Sequence, residues 1–93
     1  MNDVLNVSFF SVEKQISHIE CESVRLPVAD SVNGDFSGFY GIRKGHAKAV
    51  FSLKAGTVIL TSGDKTVLSV DISDGFATID NNEVSINVDS LSE

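Results

Sequence analysis

Tryptophan is absent from the 93 residues, and cysteine and proline occur once each and histidine twice; each scarcity closes off a class of chemistry. The lone Cys21 forms no disulfide within the chain and supplies no cysteine-based zinc site by itself, which fits a reducing, cytosolic compartment. It sits in an alternating apolar stretch, where the reading is a buried, inert thiol. No apolar run approaches the roughly 20 residues that span a bilayer, and Met1-Asn2-Asp3 lacks the basic region of a signal peptide. Positive charge is scarce too: seven basic residues against thirteen acidic ones leave a net charge of -6. Such a surface repels phosphate backbones and anionic headgroups, so nucleic acid and direct lipid binding are not expected. Helical periodicity is also missing. The nearest approach, His46 to Phe51, ends in Val50 and Phe51, which favour strand.

What is present is period-two alternation in short runs, enough for one small domain over residues 1–93. Leu5-Asn6-Val7-Ser8-Phe9 opens as a strand. His18 to Glu22 repeats the pattern, then the apolar phase jumps from Cys21 to Val24 and Leu26, which predicts a second strand kinked by a bulge. From Pro27 to Gly41 the pattern dissolves into turn-forming residues, the longest loop. Ala47–Leu53 and Thr57–Thr61 read as strands, the second through its β-branched residues. Ser62-Gly63-Asp64-Lys65 turns into Val67–Ile72, Ser73-Asp74-Gly75 into Phe76–Ile79, and Asp80-Asn81-Asn82 into Val84–Val88, a three-stranded meander. Turn signals at this spacing predict an all-β sandwich or flattened barrel of two antiparallel sheets.

Catalysis needs a base, a nucleophile or metal ligands converging on one place. His18 reads as an exposed strand residue beside Glu20, and His46, after Gly45, as a turn residue holding its loop by a backbone hydrogen bond. Asp71, Asp74, Asp80, Glu83 and Asp89 lack the spacing of a calcium loop and read as a solvated acidic rim. The stretch from Gly34 to Gly45 is glycine-rich, without the Lys-Ser or Lys-Thr pair of a phosphate loop. Neither enzyme chemistry, nor a metal, nor a cofactor is expected. A free-standing binding module remains an alternative, with a small hydrolase or metal enzyme behind it.

Gly38-Phe39-Tyr40-Gly41-Ile42-Arg43-Lys44-Gly45-His46-Ala47, followed by Leu53-Lys54-Ala55-Gly56, resembles the signature of the epsilon subunit of F-type ATP synthases. In that family the corresponding runs read Gly-Glu-Ile-Gly-Val-Leu-Pro-Gly-His-Ala and Leu-Lys-Pro-Gly at the same spacing. Ser73-Asp74-Gly75-Phe76 is similar to the family's Ser-Gly-Gly-Phe, and Val84 to Asp89 to its Val-Thr-Val-Leu-Ala-Asp. With Leu5 to Phe10 as the opening strand, the resemblance covers nearly the whole chain. On the residues' own terms, Gly41, Gly45 and Gly75 are read as places needing positive φ or close backbone approach.

The resemblance implies a ten-stranded β-sandwich at the foot of a rotary ATPase's central stalk, non-catalytic itself, between the gamma subunit and the ring of c subunits. It implies a peripheral place on the cytoplasmic face of a bacterial plasma membrane, held there by the complex. By position, Ser11 and His46 match residues on the gamma side, and Gly38, Phe39, Tyr40, Gly41 and Ile42 match the part facing the c ring. The loop from Pro27 to Ser37 is longer than usual, Phe39 replaces a common acidic residue, and Lys44 and Ala55 replace prolines. An apolar or Tyr40-mediated contact is expected where the family has a polar one. The family continues into a helical hairpin that can inhibit the enzyme. This sequence stops at Glu93; if that is the natural length, the expectation is a rotor subunit without that arm, and if it is not, the regulatory question belongs to residues beyond it.

Overall fold

The structure is a computed structural model describing residues 4–30 and 32–93. Met1-Asn2-Asp3, read above for want of a basic leader, and Ser31 of the long loop lie outside the described residues. The strands, in chain order, are β1 (Leu5–Phe10), β2 (Gln15–Cys21), β3 (Ser23–Ala29), β4 (Phe36–Arg43), β5 (Ala49–Leu53), β6 (Gly56–Ser62), β7 (Lys65–Ile72), β8 (Gly75–Asp80), β9 (Glu83–Val88) and β10 (Leu91–Ser92). Among the described residues there is no helix, so none is long and apolar enough to cross a membrane.

Alternation decides which side chains meet. In β9, Val84, Ile86 and Val88 are buried while Ser85 and Asn87 between them are only half-buried. β6 sends Val58 and Leu60 inward, and β1 contributes Leu5, Val7 and Phe9, all fully buried. These side chains, with Val24, Leu26, Ile42, Val70, Ala77 and Ile79, form one hydrophobic core. Each fully buried large side chain is worth about 1.5–3 kcal/mol in area removed from water, so this cluster is what stabilises a chain of this size.

The all-β sandwich is as expected, but its two layers are not separate antiparallel sheets. They belong to one curled ladder, β10-β7-β6-β3-β5-β8-β9-β1-β2, with β4 paired to the other edge of β3. β1 and β9 pair in parallel, Asn6 opposite Glu83 through Phe10 opposite Asn87. Period-two patterning marks which face a strand buries and carries no information on its direction.

β3 joins the layers. Its first half pairs with β6, at Ser23, Val24 and Arg25, and its far end meets β5 through Val28 opposite Leu53. Pro27 lies where the partner changes. Its carbonyl accepts the Lys54 N–H at 3.0 Å, and because a strand residue's carbonyl and amide point to the same side, the donor that proline lacks faces the gap between β6 and β5.

Three sequence expectations are corrected. The second strand is not one kinked strand but β2 and β3, broken at Glu22, whose N–H reaches across to the Thr61 carbonyl. The bulge lies earlier: Ser17 and His18 together oppose Ser8, His18 adopts φ 55, and its N–H donates to Ser8 Oγ at 3.1 Å. The loop from Pro27 to Gly41 contracts to residues 30–35, because β4 is a full strand whose alternation is masked by exposed Phe36, Phe39 and Tyr40. The closing meander does not form. β7 pairs with β6 and β10, and β8 with β5 and β9, so Ser73-Asp74 carries the chain between layers.

That crossing has the chemistry of a turn, which is why it reads as one. Ser73 Oγ accepts the N–H groups of Asp89 and Ser90, each at 3.0 Å. Asp74 accepts the Ala55 N–H at 2.8 Å. Gly75 is pressed so closely against β9 that a Cβ there would collide with the Asn87 carbonyl oxygen and lie 2.8 Å from Val88 Cγ1.

Candidate protein-interaction site

The turn from β4 to β5 carries His46. The His46 N–H returns to the Arg43 carbonyl at 3.2 Å, and Gly45 takes φ 81, the conformation that favours glycine at the third position of such a turn. A second support comes from far along the chain. Asn82 Oδ1 accepts the Gly45 N–H at 2.8 Å, while the Asn82 carbonyl accepts the Asn6 N–H at 2.9 Å. Asn82 holds that place because it and Asn81 both sit at positive φ, 65 and 52, in the two-residue hairpin between β8 and β9.

His46 Nδ1 lies 2.7 Å from the Ala47 carbonyl, and Nε2 lies 2.9 Å from the Tyr40 hydroxyl. A carbonyl only accepts, so Nδ1 carries the hydrogen, and in the neutral ring Nε2 receives the tyrosine's. Tyr40 also lies against Phe51, with ring centroids 4.9 Å apart, and His46 completes the cluster at 5.9 Å from Phe51. A residue matched to the gamma side and one matched to the ring side thus share a hydrogen bond.

Of the other candidate residues, Ser11 is half-buried in the turn from β1 to β2, its hydroxyl donating to the Lys14 carbonyl at 2.9 Å. Gly38, at φ 129, sits beside the irregularity where β4 shifts register against β3. Phe39 is half-exposed, in edge contact with Phe36 and beneath the Arg25 guanidinium at 4.4 Å from ring centre. Ile42 is fully buried; its side chain belongs to the core, and alternation removes it from any surface that β4 presents. Gly41 has no positive φ, and a Cβ placed on it would meet no atom within 4 Å, so only Gly45 and Gly75 of the three glycines meet the need read from the sequence.

The residues weighed for chemistry are dispersed. Cys21 is fully buried and its thiol is pushed up to about 11, chiefly by burial, against a smaller lowering by a backbone hydrogen bond with Ser23. Asp71 accepts the Thr57 hydroxyl, while Asp74 and Asp80 face Lys54 and Lys48 at 3.6 and 3.8 Å. Among the described residues no three His, Cys, Asp or Glu side chains stand together as a metal site. What sequence reading missed is the basic groove on the outer face of β3 and β4, of about 550 Å³, lined by Arg25, Phe39, Arg43 and Ile59 among others.

Fold and surface together define a small β-sandwich domain whose distinctive features are a braced aromatic turn and a basic groove. The chain belongs to the family described as ATP synthase, delta/epsilon chain, β-sandwich domain, which it matches over residues 4–93. Its similarity runs to ATP synthase epsilon chains: 31% identity to that of Paracoccus denitrificans over 92% of this chain and 53% of the relative. The epsilon chain of Campylobacter jejuni is 30% identical over 92% of this chain and 61% of its own length. That of Leptospira borgpetersenii is 33% identical over 91% and 61%. The chain therefore spans between half and two thirds of these relatives. Among solved structures, a chain of the Euglena gracilis mitochondrial ATP synthase, in the OSCP/F1/c-ring assembly, matches with a TM-score of 0.80 at 20% identity, over 99% of this chain and 54% of that one. A chain from the central stalk and c ring of the Tetrahymena thermophila enzyme matches with a TM-score of 0.70 at 17% identity, over 96% and 66%. At those identities the likeness is one of fold.

Proposed function

We propose that this chain is a non-catalytic rotor subunit of the central stalk of an F-type or F-like rotary ATPase, seated between the gamma subunit and the c ring. In that place it couples ion translocation to ATP synthesis or hydrolysis. The observation that carries the reading is the family match along residues 4–93, on a fold whose interior is filled by one cluster of packed side chains. A rigid, close-packed sandwich transmits force because interiors at crystal-like density compress little. Ser11 and His46 are assigned to the gamma side, and the exposed residues of Gly38–Gly41, Phe39 and Tyr40 above all, to the ring side. The complex would hold the chain at the cytoplasmic face of a bacterial plasma membrane.

The test is co-purification and coupling. Tagged chain should bring down the gamma subunit and the c ring, and membranes lacking it should hydrolyse ATP with reduced proton pumping. A chain that stays a monomer and leaves pumping unchanged when deleted would instead be a free-standing binding module.

A further inference from the structure

The outer face of β3, β4 and β6 carries a groove built by register. Ser23 stands opposite Arg43 and Arg25 opposite Gly41 on β4, while the same two β3 residues face Thr61 and Ile59 on β6. Their neighbours Val24, Ile42 and Leu60 are all turned into the core, so these side chains share the opposite face. Gly41 leaves a gap opposite Arg25, with nothing within 4 Å of where a Cβ would stand. The gap is flanked by Arg43 and Phe39. Arg25 and Arg43 are diagonal neighbours, about 7–8 Å apart at the backbone in an antiparallel pair.

We propose that this slot receives a carboxylate from an acidic segment of a protein partner in the stalk, an inference that rests on the function proposed above. Charge is the first argument. Among the described residues, ion pairs are made by Lys14, Lys48 and Lys54, and neither arginine side chain has an acidic partner there. Two like charges side by side are left for an anion to offset. Preorganisation is the second. The Phe39 ring holds the Arg25 guanidinium by its face at 4.4 Å, leaving the edge N–H groups free for the two oxygens of a carboxylate.

Size and surroundings choose the occupant. A groove of about 550 Å³ is far larger than one small anion, given about 30 Å³ for a water. Its floor includes Phe39 and Ile59, which suit apolar neighbours of the acid. A polyanion is disfavoured by the net charge of -6.

The test uses R25E/R43E and Gly41→Leu, with the fold of each checked by circular dichroism and thermal melting; both arginines are exposed and Gly41 has open space above it. Affinity is measured for a reconstituted stalk of gamma subunit and c ring. R25E/R43E should bind roughly tenfold or more weakly, and the salt dependence of binding should flatten. Gly41→Leu should bind weakly too, though both arginines remain, because the leucine occupies the slot. Wild-type affinity in both variants would overturn the inference and leave the stalk function standing, whereas no binding by the wild-type chain would remove the stalk function itself. Inorganic phosphate, titrated in parallel, should fail to saturate the slot. Saturable phosphate binding lost in R25E/R43E, with stalk affinity unchanged, would also overturn it, in favour of a free-anion site.

Discussion

Cys21 shows how burial fixes a side chain's chemistry. Its thiol titrates near 11 in the folded chain against an ordinary 9.0, so between those values the unfolded chain gives up a proton that the folded chain keeps. Stability therefore falls as pH rises from about 9 toward 11, with a slope of up to about 1.4 kcal/mol per unit, read from urea unfolding across that range. Cys21→Ala should abolish that dependence, and a thiol reagent should leave native Cys21 unmodified. Gly75 and Gly41 form a second pair of contrasts. Gly75→Ala drives a Cβ into the Asn87 carbonyl and should cost at least the about 1–3 kcal/mol of an overpacked site. Gly41→Ala meets nothing, and should be neutral or stabilising by about 0.4–1 kcal/mol through a less flexible unfolded chain. Thermal midpoints separate the two, at about 4–8 °C per kcal/mol for a domain of this size.

The hairpin between β8 and β9 serves two purposes, forming its own turn and holding the His46 turn through Asn82. Asn82→Gly preserves the left-handed backbone and removes the brace, so stability should change little while the Gly45 amide exchanges faster with solvent. Asn82→Ala removes the brace and adds left-handed strain of about 1–2 kcal/mol; hydrogen exchange and melting, measured together, distinguish these outcomes. Asp80-Asn81-Asn82 was legible in the sequence as a turn because its residue types are those that tolerate positive φ. Its reach to Gly45 was not, since nothing local links positions so far apart in the chain. β4 was missed for a different reason: it keeps only Ile42 fully buried, and aromatic residues on its exposed positions erase the polar half of the alternation. The basic groove likewise depends on pairing register, which places Gly41 rather than a larger residue opposite Arg25.

At the scale of the molecule, the inward residues of β1, β6, β8 and β9 were readable one strand at a time, and the single core they form follows from there being room for only one. Phe9 is among its largest fully buried side chains. Phe9→Ala should cost about 3–5 kcal/mol, a large part of the about 5–14 kcal/mol available to a chain this long, and should lower the urea midpoint accordingly. The direction of pairing was the unreadable part, and it has a kinetic consequence. Because β1 lies alongside β9, an emerging nascent chain has no neighbour for one edge of its first strand until synthesis has passed Val88. Refolding should be slow, in the millisecond-to-second range of proteins dominated by distant contacts, and the opening hairpin must wait, half sheltered, for the segment that completes it.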